Sequence, residues 1–377
     1  MKLALIISSL STGGAERVIS LLANYWAGRG EDVSLITIDS AASDSYPLDT
    51  RVRRLPLGLV ADSGGYIAAV ANNRRRIIAL RAAIKATGAR VAVSFGEHAN
   101  VQLLLATRFS GVRCVISERT DPAQHHIAAI WRVLRRMTYP MADALVVQTK
   151  ALLPWARTIV RKERAHVIPN PVRDMRHVTA GQSLERAAKI VAAGRLVAAK
   201  GFDVLLEAFA LLARQLPQCR LVILGEGPER ERLMKLARTL QITEKVSLPG
   251  RVAEPGEVLT DASLFVLSSL YEGFPNALLE AMACGVPVIS TACRGPVEII
   301  THEVDGLLVP VSSAAELAAA MLRLMKDEPL RRKLADHARA VCSRYRLESI
   351  VQEWDGLLGA DIKNSDPALR HPAASER

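Results

Sequence analysis

The sequence predicts an α/β protein with two doubly wound domains, each a parallel sheet covered by helices. Short apolar runs alternate with helical patterns along the chain, and half of the 377 residues are hydrophobic while only 4% are aromatic. Strands buried on both faces of a parallel sheet form such continuous Val-, Ile- and Leu-rich runs. A chain of this length can bury two separate cores.

The predicted strands fall into two groups with a polar stretch between them. The first group covers residues 3–8, 33–38, 91–95, 112–117, 144–148 and 166–168; the second covers 189–194, 220–224, 245–248, 264–268, 286–291 and 307–309. Parallel neighbours need crossover connections, so helices are expected between the strands. We therefore predict domains over residues 1–170 and 185–345, a linker after Asn170, and a disordered tail over residues 361–377.

The bulk composition predicts a cytoplasmic protein without a membrane span. No apolar run reaches the length of about 18 residues that a transmembrane helix needs. The chain begins with a strand-like run, where a signal peptide would carry basic residues and a longer apolar core. Its five cysteines are scattered and form no C-x-x-C pair. This indicates reduced thiols, with neither a disulfide framework nor a zinc site.

An acidic loop–helix segment covers residues 271–289, where a loop, a short helix, a glycine stop and an apolar strand follow one another. Glu272 precedes the helix and Glu280 lies inside it. The residues that open the helix are Gly273, Phe274, Pro275 and Asn276. Backbone N–H groups at a helix N-terminus favour an anionic phosphate, while carboxylates accept hydrogen bonds from hydroxyls. An ordinary strand–loop–helix crossover would explain the apolar residues but not the two acids.

A second predicted anion site follows the first strand of the second domain. Arg195 and Lys200 flank the loop between the strand that ends at Gly194 and the next helix. Ligands of open α/β sheets sit beyond the carboxyl ends of strands, and two cations there suit a diphosphate. The alternative is a pair of solvated charges. Two further turns follow other strands of this domain, at Gly225 and at Arg251 and Val252.

These motifs resemble the retaining glycosyltransferases of family 4, which have the GT-B fold, two Rossmann-like domains with a cleft between them. The family signature has two Glu residues eight apart followed by a Gly-Val-Pro strand, as in Glu272, Glu280 and residues 285–287 here. The resemblance implies that Arg195 and Lys200 hold the donor diphosphate and stabilise the departing nucleoside diphosphate. It further implies that Glu272 contacts the donor sugar and Glu280 the ribose, and that a helix near residues 346–360 crosses back onto the first domain.

Other implied donor contacts come from glycine turns and backbone groups. The turn at Arg251 and Val252 resembles the base-binding turn of the family. Gly13 and Gly14, between the first strand and the first helix, form a turn that lies near donor phosphate and acceptor in that family. The chain contains no Asp-x-Asp, so we expect no metal and no other cofactor, with the two cations and the helix N-terminus supplying positive charge.

The acceptor side departs from the family pattern. Many members carry a His after the fourth N-terminal strand, but Arg119, next to Glu118, stands where that His is expected, so no single catalytic base is assigned. His98 follows another strand and is expected to line the acceptor pocket, although a lone His is more often structural. Residues 117–140 resemble bacterial transferases that extend undecaprenyl-diphosphate-linked sugars, including N-acetylgalactosaminyl transferases of polysaccharide assembly.

The net charge of +11 falls entirely in the first half of the chain, where residues 1–170 hold 23 Lys and Arg against 12 Asp and Glu. Residues 66–87 and 127–137 predict basic amphipathic helices. The first has an apolar stripe of Val70, Ile77, Leu80 and Ile84 beside Arg74, Arg81 and Lys85; the second has Ile127, Ile130, Trp131 and Leu134 beside three arginines. Such helices suit an anionic membrane surface or a lipid diphosphate, or they pack on a core with a solvated basic edge. Nucleic acid is disfavoured, because no binding motif accompanies the charge.

The sequence thus predicts a retaining transfer of a sugar from a nucleotide-sugar, expected to be UDP-linked, to a lipid-diphosphate-linked saccharide in cell-surface polysaccharide or glycan assembly at the inner face of a membrane. Two alternatives share the nucleotide-sugar site. An epimerase of the same fold would release free sugar and free nucleotide without an acceptor. A non-catalytic scaffold at the membrane surface would bind the nucleotide-sugar without turnover.

Overall fold

The computed structural model describes residues 1–60, 65–125, 127–173, 188–252 and 254–359. The chain divides into two compact units, with the boundaries after Asn170 and before Leu347. Unit 1 begins at Met1 and resumes with the C-terminal helix, and unit 2 covers Pro171–Arg346. The predicted tail and most of the predicted linker lie outside the described residues.

Unit 1 contains a seven-stranded parallel sheet in the order β3-β2-β1-β4-β5-β6-β7. The strands are β1 (Lys2–Ile7), β2 (Asp32–Thr37), β3 (Arg53–Pro56), β4 (Val91–Phe95), β5 (Arg113–Ser117), β6 (Ala144–Val147) and β7 (Ala165–Val167). The helices are α1 (Gly14–Gly28), α2 (Tyr66–Thr87), α3 (Glu97–Ala106), α4 (Ala129–Thr138) and α5 (Leu153–Arg157). Six of these strands match the predicted runs, and the seventh, β3, is new.

Unit 2 repeats the plan with six parallel strands in the order β10-β9-β8-β11-β12-β13. They are β8 (Lys189–Ala193), β9 (Arg220–Leu224), β10 (Val246–Gly250), β11 (Leu264–Leu267), β12 (Val288–Thr291) and β13 (Leu307–Val309). The helices are α6 (Phe202–Gln215), α7 (Arg230–Thr239), α8 (Pro255–Thr260), α9 (Asn276–Ala283), α10 (Pro296–Ile299), α11 (Ala314–Lys326), α12 (Glu328–Ala338) and α13 (Val341–Arg344). All six predicted strands are present.

The C-terminal helix α14 (Leu347–Gly359) is part of the unit 1 core. Trp354 is buried and stacks on Phe95 of β4, with ring centroids 5.9 Å apart. The Trp26 indole donates to Asp355 at 2.8 Å, and Arg113 donates to the last carbonyls of α14. These contacts fasten the end of the described chain to the first sheet.

Both sheets reverse their strand order beside the first strand of the unit. In unit 1 the chain moves outward from β1 to β3 and then returns to the other side of β1 with β4. In unit 2 the same reversal lies between β8 and β11. Parallel α/β sheets bind ligands beyond the carboxyl ends of strands at this position, because the flanking loops turn to opposite faces and leave a crevice. The loops after β1, β4, β8 and β11 are therefore where a site is expected.

Candidate active site

A lysine and a glutamate meet at the reversal point of unit 2. Lys200 lies on the loop after β8, and Glu272 lies on the loop after β11. The Lys200 ammonium donates to Glu272 Oε1 at 2.5 Å, and the two side chains are 23% and 11% exposed. The structure thus brings together two of the three residues predicted to be catalytic.

Backbone contacts hold the loop after β8 against the loop after β11. Gly201 has φ +58°, and a Cβ there would lie 2.3 Å from the Ser268 carbonyl oxygen, so only glycine allows this approach. The Ser268 hydroxyl donates to the Lys200 carbonyl at 2.9 Å, and the Leu270 N–H donates to the Ala199 carbonyl at 2.8 Å. Lys200 is therefore placed by backbone contacts as well as by its ion pair.

Ser269, the end of β12 and the loop after β12 support Glu272, and these supports were not predicted. The Ser269 hydroxyl donates to Glu272 Oε1 at 2.6 Å, and Thr291 at the end of β12 donates to the Ser269 carbonyl at 2.6 Å. A Cβ on Gly295 would lie 2.8 Å from the Gly273 carbonyl oxygen. Two serines before the acidic loop and a Gly-Pro pair after the next strand were the sequence signals for these supports.

Helix α9 begins at Asn276, as the motif predicted, and buries Glu280 to 5% exposure. Pro275 occupies the N-cap position and offers no side-chain oxygen to the first N–H groups of the helix. Phe274 is buried and meets the Tyr345 ring edge-on, with centroids 5.2 Å apart. Its side chain therefore anchors the loop in the core of unit 2 and does not form a ligand-facing surface.

The other predicted donor residues lie at the ends of three adjacent strands, β8, β9 and β10. Gly225 has φ +138°, and a Cβ there would lie 2.0 Å from the Gly194 carbonyl oxygen, so this glycine is required for packing of the turns. The Gly225 N–H donates to the Gly250 carbonyl at 2.8 Å. Arg195 and Arg251 are exposed at these turns, and Val252 is half-buried against the core.

The glycine turn of unit 1 leads directly into α1. Gly13 is the N-cap residue and Gly14 the first helical residue. The Gly13 N–H and the Tyr46 hydroxyl are 3.1 Å apart, and the same hydroxyl donates to the Gly13 carbonyl at 3.0 Å. The turn therefore sits at the carboxyl end of β1, beside the reversal point of this sheet.

A carboxylate with two histidines follows β4. Glu97 Oε1 lies 3.4 Å from His98 Nδ1 and 3.5 Å from His125 Nε2. The His98 ring meets Trp131 edge-on at 4.2 Å, and the side chain is 44% exposed. Burial lowers the pKa of His98, whereas a hydrogen bond to Glu97 raises the pKa of His125. Near neutral pH the structure therefore presents His98 as a neutral, partly accessible imidazole.

Glu118 lies buried at the end of β5 in a chain of polar side chains. Tyr139 donates to Glu118 Oε2 at 2.8 Å and receives a hydrogen bond from the Asn100 amide at 3.0 Å, while Ser94 donates to Asn100 at 2.7 Å. Burial, followed by the nearby charge of Glu97, raises the pKa of Glu118 to about 7. Among the described residues, its other oxygen, Oε1, is inaccessible and has no hydrogen-bond partner.

Arg119 lies next to it with a guanidinium that is only partly satisfied. The guanidinium carbon is 3.3 Å from the centre of the Phe95 ring, and Nη1 donates to Asn170 at 2.6 Å. Within the described ranges, Nε and Nη2 are inaccessible and have no partner, and burial lowers the pKa of this group. Buried oxygens without partners also occur on three neighbouring residues: Thr120, Gln148 and Thr149. Unsatisfied buried polar atoms cost free energy, and in native proteins a cluster of them marks a place for water or ligand.

Arg81 and Lys85 of α2 do not join this group. Helix α3 starts after β4 and runs back to the opposite edge of the sheet, where Arg81 donates to the carbonyls of Ala106, Leu105 and Arg108. Lys85 lies one turn further along α2, towards the start of β4. Both side chains therefore lie at the amino edge, away from His98 and Glu118, although the sequence grouped them on the acceptor side. Arg74 is exposed two turns earlier on α2.

The predicted apolar stripes of α2 and α4 are partly core. Leu80 and Ile84 of α2 are buried, and Trp131 and Leu134 of α4 pack against the same core. The alternative of a core-facing helix is therefore correct for these residues. Among the described residues, no helix has the length and apolarity to cross a membrane, and no group of three or more His, Cys, Asp or Glu is placed to hold a metal ion.

Comparison with known proteins identifies the family. The family model described as Glycosyltransferase Family 4 matches residues 12–176, and the one described as Glycosyl transferases group 1 matches residues 179–341. The chain is 30% identical over 367 residues to the Campylobacter jejuni "GalNAc-alpha-(1->4)-GalNAc-alpha-(1->3)-diNAcBac-PP-undecaprenol alpha-1,4-N-acetyl-D-galactosaminyltransferase", a match that covers 97% of this chain and 100% of the relative.

Solved structures share the fold at lower sequence identity. Sucrose-phosphate synthase from Thermosynechococcus elongatus has a TM-score of 0.83 and 21% identity, covering 97% of this chain and 100% of that one. Anabaena HepE, solved in complex with UDP and glucose, has a TM-score of 0.82 and 19% identity, covering 96% and 100%. With a sequence match over nearly its whole length and two parallel-sheet units, this protein belongs to the family 4 glycosyltransferases and has the GT-B fold.

Proposed function

We propose that this glycosyltransferase moves a sugar from a nucleotide-sugar held by unit 2 to a saccharide that is linked through a diphosphate to a lipid and held by unit 1. The observation that carries the donor half is the Lys200–Glu272 pair at the reversal point of the unit 2 sheet. The acceptor class is supported by the name of the C. jejuni relative, whose acceptor is a saccharide on PP-undecaprenol.

Lys200 and Glu272 can form further hydrogen bonds with a nucleotide-sugar. A lysine ammonium has three N–H donors, and one of them is directed to Glu272. Glu272 Oε1 accepts from Lys200 and Ser269, so its second oxygen can accept a sugar hydroxyl. Lys200 and the exposed Arg195 supply positive charge for the diphosphate, and Glu280 in α9 is the proposed ribose contact. The base, proposed to be uracil, would meet the backbone at Arg251 and Val252.

We place the chemical step on one face of the sugar, with retention of configuration. The acceptor hydroxyl oxygen bonds to the anomeric carbon as the bond from that carbon to the diphosphate oxygen breaks. The hydroxyl proton passes to the departing diphosphate, and Lys200 and Arg195 stabilise the negative charge that develops there. Preorganised cations act most strongly on developing charge in a partly desolvated site. The proposal requires no metal and no other cofactor.

The acceptor half is proposed for the carboxyl edge of unit 1. Glu118 and Arg119 present buried polar atoms without partners, and His98 offers a partly accessible neutral imidazole on the adjacent strand end. Saccharide hydroxyls would bond His98 directly, whereas the inaccessible atoms of Glu118 and Arg119 lie behind the surface of this proposed site. A lipid-linked acceptor also implies a peripheral enzyme at the cytoplasmic face of a membrane, which the positive charge of residues 1–170 supports.

A transfer assay tests the proposal. The purified protein would be incubated with bacterial membranes and labelled UDP-GalNAc, UDP-GlcNAc, UDP-Glc or GDP-Man, and the lipid fraction extracted. We expect label in a lipid that releases it on mild acid hydrolysis of the diphosphate, a product with the anomeric configuration of the donor, and little label with Glu272→Gln. Label in soluble saccharides only would contradict the lipid-linked acceptor. Free sugar and free nucleotide without transfer would favour the epimerase, and donor binding without turnover would favour the scaffold.

A further inference from the structure

A carboxylate lies beside the turn that is proposed to bind the base of the donor. Glu226 follows β9, and a Cβ on Gly250 would lie 2.6 Å from Glu226 Oε1, so the carboxylate packs directly against this glycine. Gly250 ends β10 and leads into Arg251 and Val252. We propose that Glu226, held by Arg230, reads the base of the nucleotide-sugar and selects uracil by accepting its N3–H.

Arg230 fixes the position of this carboxylate. Its Nη1 donates to Glu226 Oε1 at 2.9 Å, and its Nη2 donates to the Leu248 carbonyl at 2.6 Å. The register of β10 against β9 shifts between Ser247 and Gly250, in the stretch that contains Leu248. One guanidinium thus joins the Glu226 carboxylate to the end of β10, so the carboxylate is held beside the base turn.

The backbone around Glu226 is held on both sides. The Leu196 N–H, in the loop after β8, donates to the Glu226 carbonyl at 2.8 Å, and the Gly225 N–H donates to the Gly250 carbonyl at 2.8 Å. A Cβ on Gly227 would lie 2.3 Å from the Leu196 carbonyl oxygen. Glu226 therefore lies between the loop proposed to hold the diphosphate and the turn proposed to hold the base.

A purely structural ion pair is the alternative, and the place of the pair in the fold argues against it. Arg230 is the first residue of α7, and Glu226 lies in the turn before the helix, so the two do not form the ordinary i,i+4 pair of a helix surface. The two side chains are 34% and 38% exposed, and partly exposed ion pairs add little stability by themselves. The carboxylate is also directed to the end of a neighbouring strand.

The hydrogen-bonding pattern of the carboxylate suits uracil. Arg230 occupies Oε1, and the Glu226 side chain is 38% exposed, so Oε2 can accept one N–H from a ligand. Uracil presents one such donor, N3–H, between two carbonyls. Cytosine presents a lone pair at N3, which a carboxylate repels. Guanine presents two adjacent donors, N1–H and N2–H, which need both carboxylate oxygens.

The inference rests on the proposed function, because it requires that unit 2 holds a nucleotide-sugar. It adds the side chain that chooses the base. A site built to accept a hydrogen bond from its ligand rejects an analogue without that donor, because the acceptor is then left unpaired. Glu226 is therefore expected to determine which nucleoside diphosphate binds, and not only how tightly it binds.

Calorimetric titration of UDP, CDP and GDP tests the inference. We expect the unaltered protein to bind UDP most tightly of the three. In Glu226→Gln the amide oxygen can still accept from Arg230, but an N–H then faces the base and suits the N3 lone pair of cytosine. The ratio of UDP affinity to CDP affinity should therefore fall at least tenfold. A ratio measured on one variant is insensitive to a partial loss of folded protein.

A second variant and a control separate the roles of the two residues. Arg230→Met releases Oε1, so both carboxylate oxygens can meet the two donors of guanine, and the ratio of GDP affinity to UDP affinity should rise about tenfold. Glu229→Gln is the matched control. Glu229 accepts from Arg232 in a neighbouring ion pair of α7, and its replacement should leave both ratios unchanged.

The outcomes keep this inference apart from the proposed function. Intact UDP binding and transfer with an unchanged UDP-to-CDP ratio in Glu226→Gln would overturn Glu226 as the reader of the base alone. Equal affinity of the unaltered protein for the three nucleotides would do the same, and an unchanged GDP-to-UDP ratio in Arg230→Met would overturn the part assigned to Arg230. An unaltered protein that binds none of the nucleotides and transfers from no donor would refute the proposed function itself.

Discussion

Both units carry polar side chains at the carboxyl edge of their sheet. In unit 2 these side chains are paired with each other, whereas in unit 1 some of their buried atoms have no partner among the described residues. In unit 2, Lys200 and Glu272 are paired with each other, partly exposed, and held by Ser269 and by backbone contacts. In unit 1, Glu118 and Arg119 are adjacent and buried, and each has atoms without a partner in the described chain.

This difference has a physical reason in the proposed substrates. A diphosphate is charged, and its cation must already be in place to stabilise the charge that develops as the bond breaks. An acceptor saccharide is neutral where it reacts, so unit 1 needs no preorganised pair of charges to bind it. The two edges therefore make different predictions for mutation, and these follow in order of expected effect.

Removing the paired cation should have the largest effect. Lys200→Ala should lower kcat about a hundredfold or more, because the departing diphosphate loses a preorganised charge. Steady-state turnover with the donor identified by the transfer assay measures this. Lys189→Ala is the matched control, since Lys189 at the start of β8 is half-buried and lies 3.9 Å from the exposed Asp261 carboxylate. Turnover near that of the unaltered protein would remove Lys200 from the mechanism.

Removing the buried acid of unit 1 should change how stability depends on pH. The pKa of Glu118 is raised to about 7 in the folded protein, whereas a glutamate of the unfolded chain has a pKa of about 4.3. Between these two pH values the folded protein binds the Glu118 proton and the unfolded chain does not. Stability is therefore lost as the pH rises from about 4.5 to 7, by about 3 kcal/mol from this group. Glu118→Gln should flatten that decline.

Urea unfolding at pH 5 and pH 8 measures this effect. All four tryptophans lie in unit 1, at positions 26, 131, 155 and 354, so their fluorescence reports on the unit that contains Glu118. Glu231→Gln, at an exposed position of α7, is the control and should retain the pH dependence of the unaltered protein. An unchanged decline in Glu118→Gln would show that this carboxyl does not titrate as its burial implies.

Loosening the support of Glu272 should have the smallest effect. Ser269→Ala removes the 2.6 Å hydrogen bond to Oε1 while leaving the Lys200 contact in place. The loss of one such bond is worth about 1 kcal/mol, which is about fivefold in kcat/KM. Ser247→Ala, on the exposed face of β10, should leave kcat/KM unchanged. A loss as large as that of Lys200→Ala would mean that Ser269 contacts the substrate itself.

Much of the fold could be predicted because its signals are local. Buried parallel strands are continuous apolar runs, and all twelve predicted runs form strands. The strand that was missed, β3, is short and contains Arg53, Arg54 and Pro56. Among the described strands it pairs with β2 alone, at the sheet edge, where a proline and charged side chains are tolerated. Edge strands bury too little to leave an apolar run in the sequence.

Site residues could be predicted only where they belong to one continuous sequence motif. The acidic loop of unit 2 could be recognised because Glu272 and Glu280 share one motif with a helix start. The supports from Ser269 and Thr291 could not, since they depend on which strands become neighbours. Helical periodicity likewise placed Arg81 beside an apolar stripe, but only the crossover direction of α2 shows that it lies at the amino edge.

Titration of UDP by calorimetry tests the contrast between the two edges most directly. It would be done with the unaltered protein, Lys200→Ala and Glu118→Gln. We predict that Lys200→Ala weakens UDP binding about tenfold, because the diphosphate loses one charged contact, and that Glu118→Gln binds UDP as the unaltered protein does. Weakened binding in Glu118→Gln together with unchanged binding in Lys200→Ala would contradict the assignment of the nucleotide to unit 2.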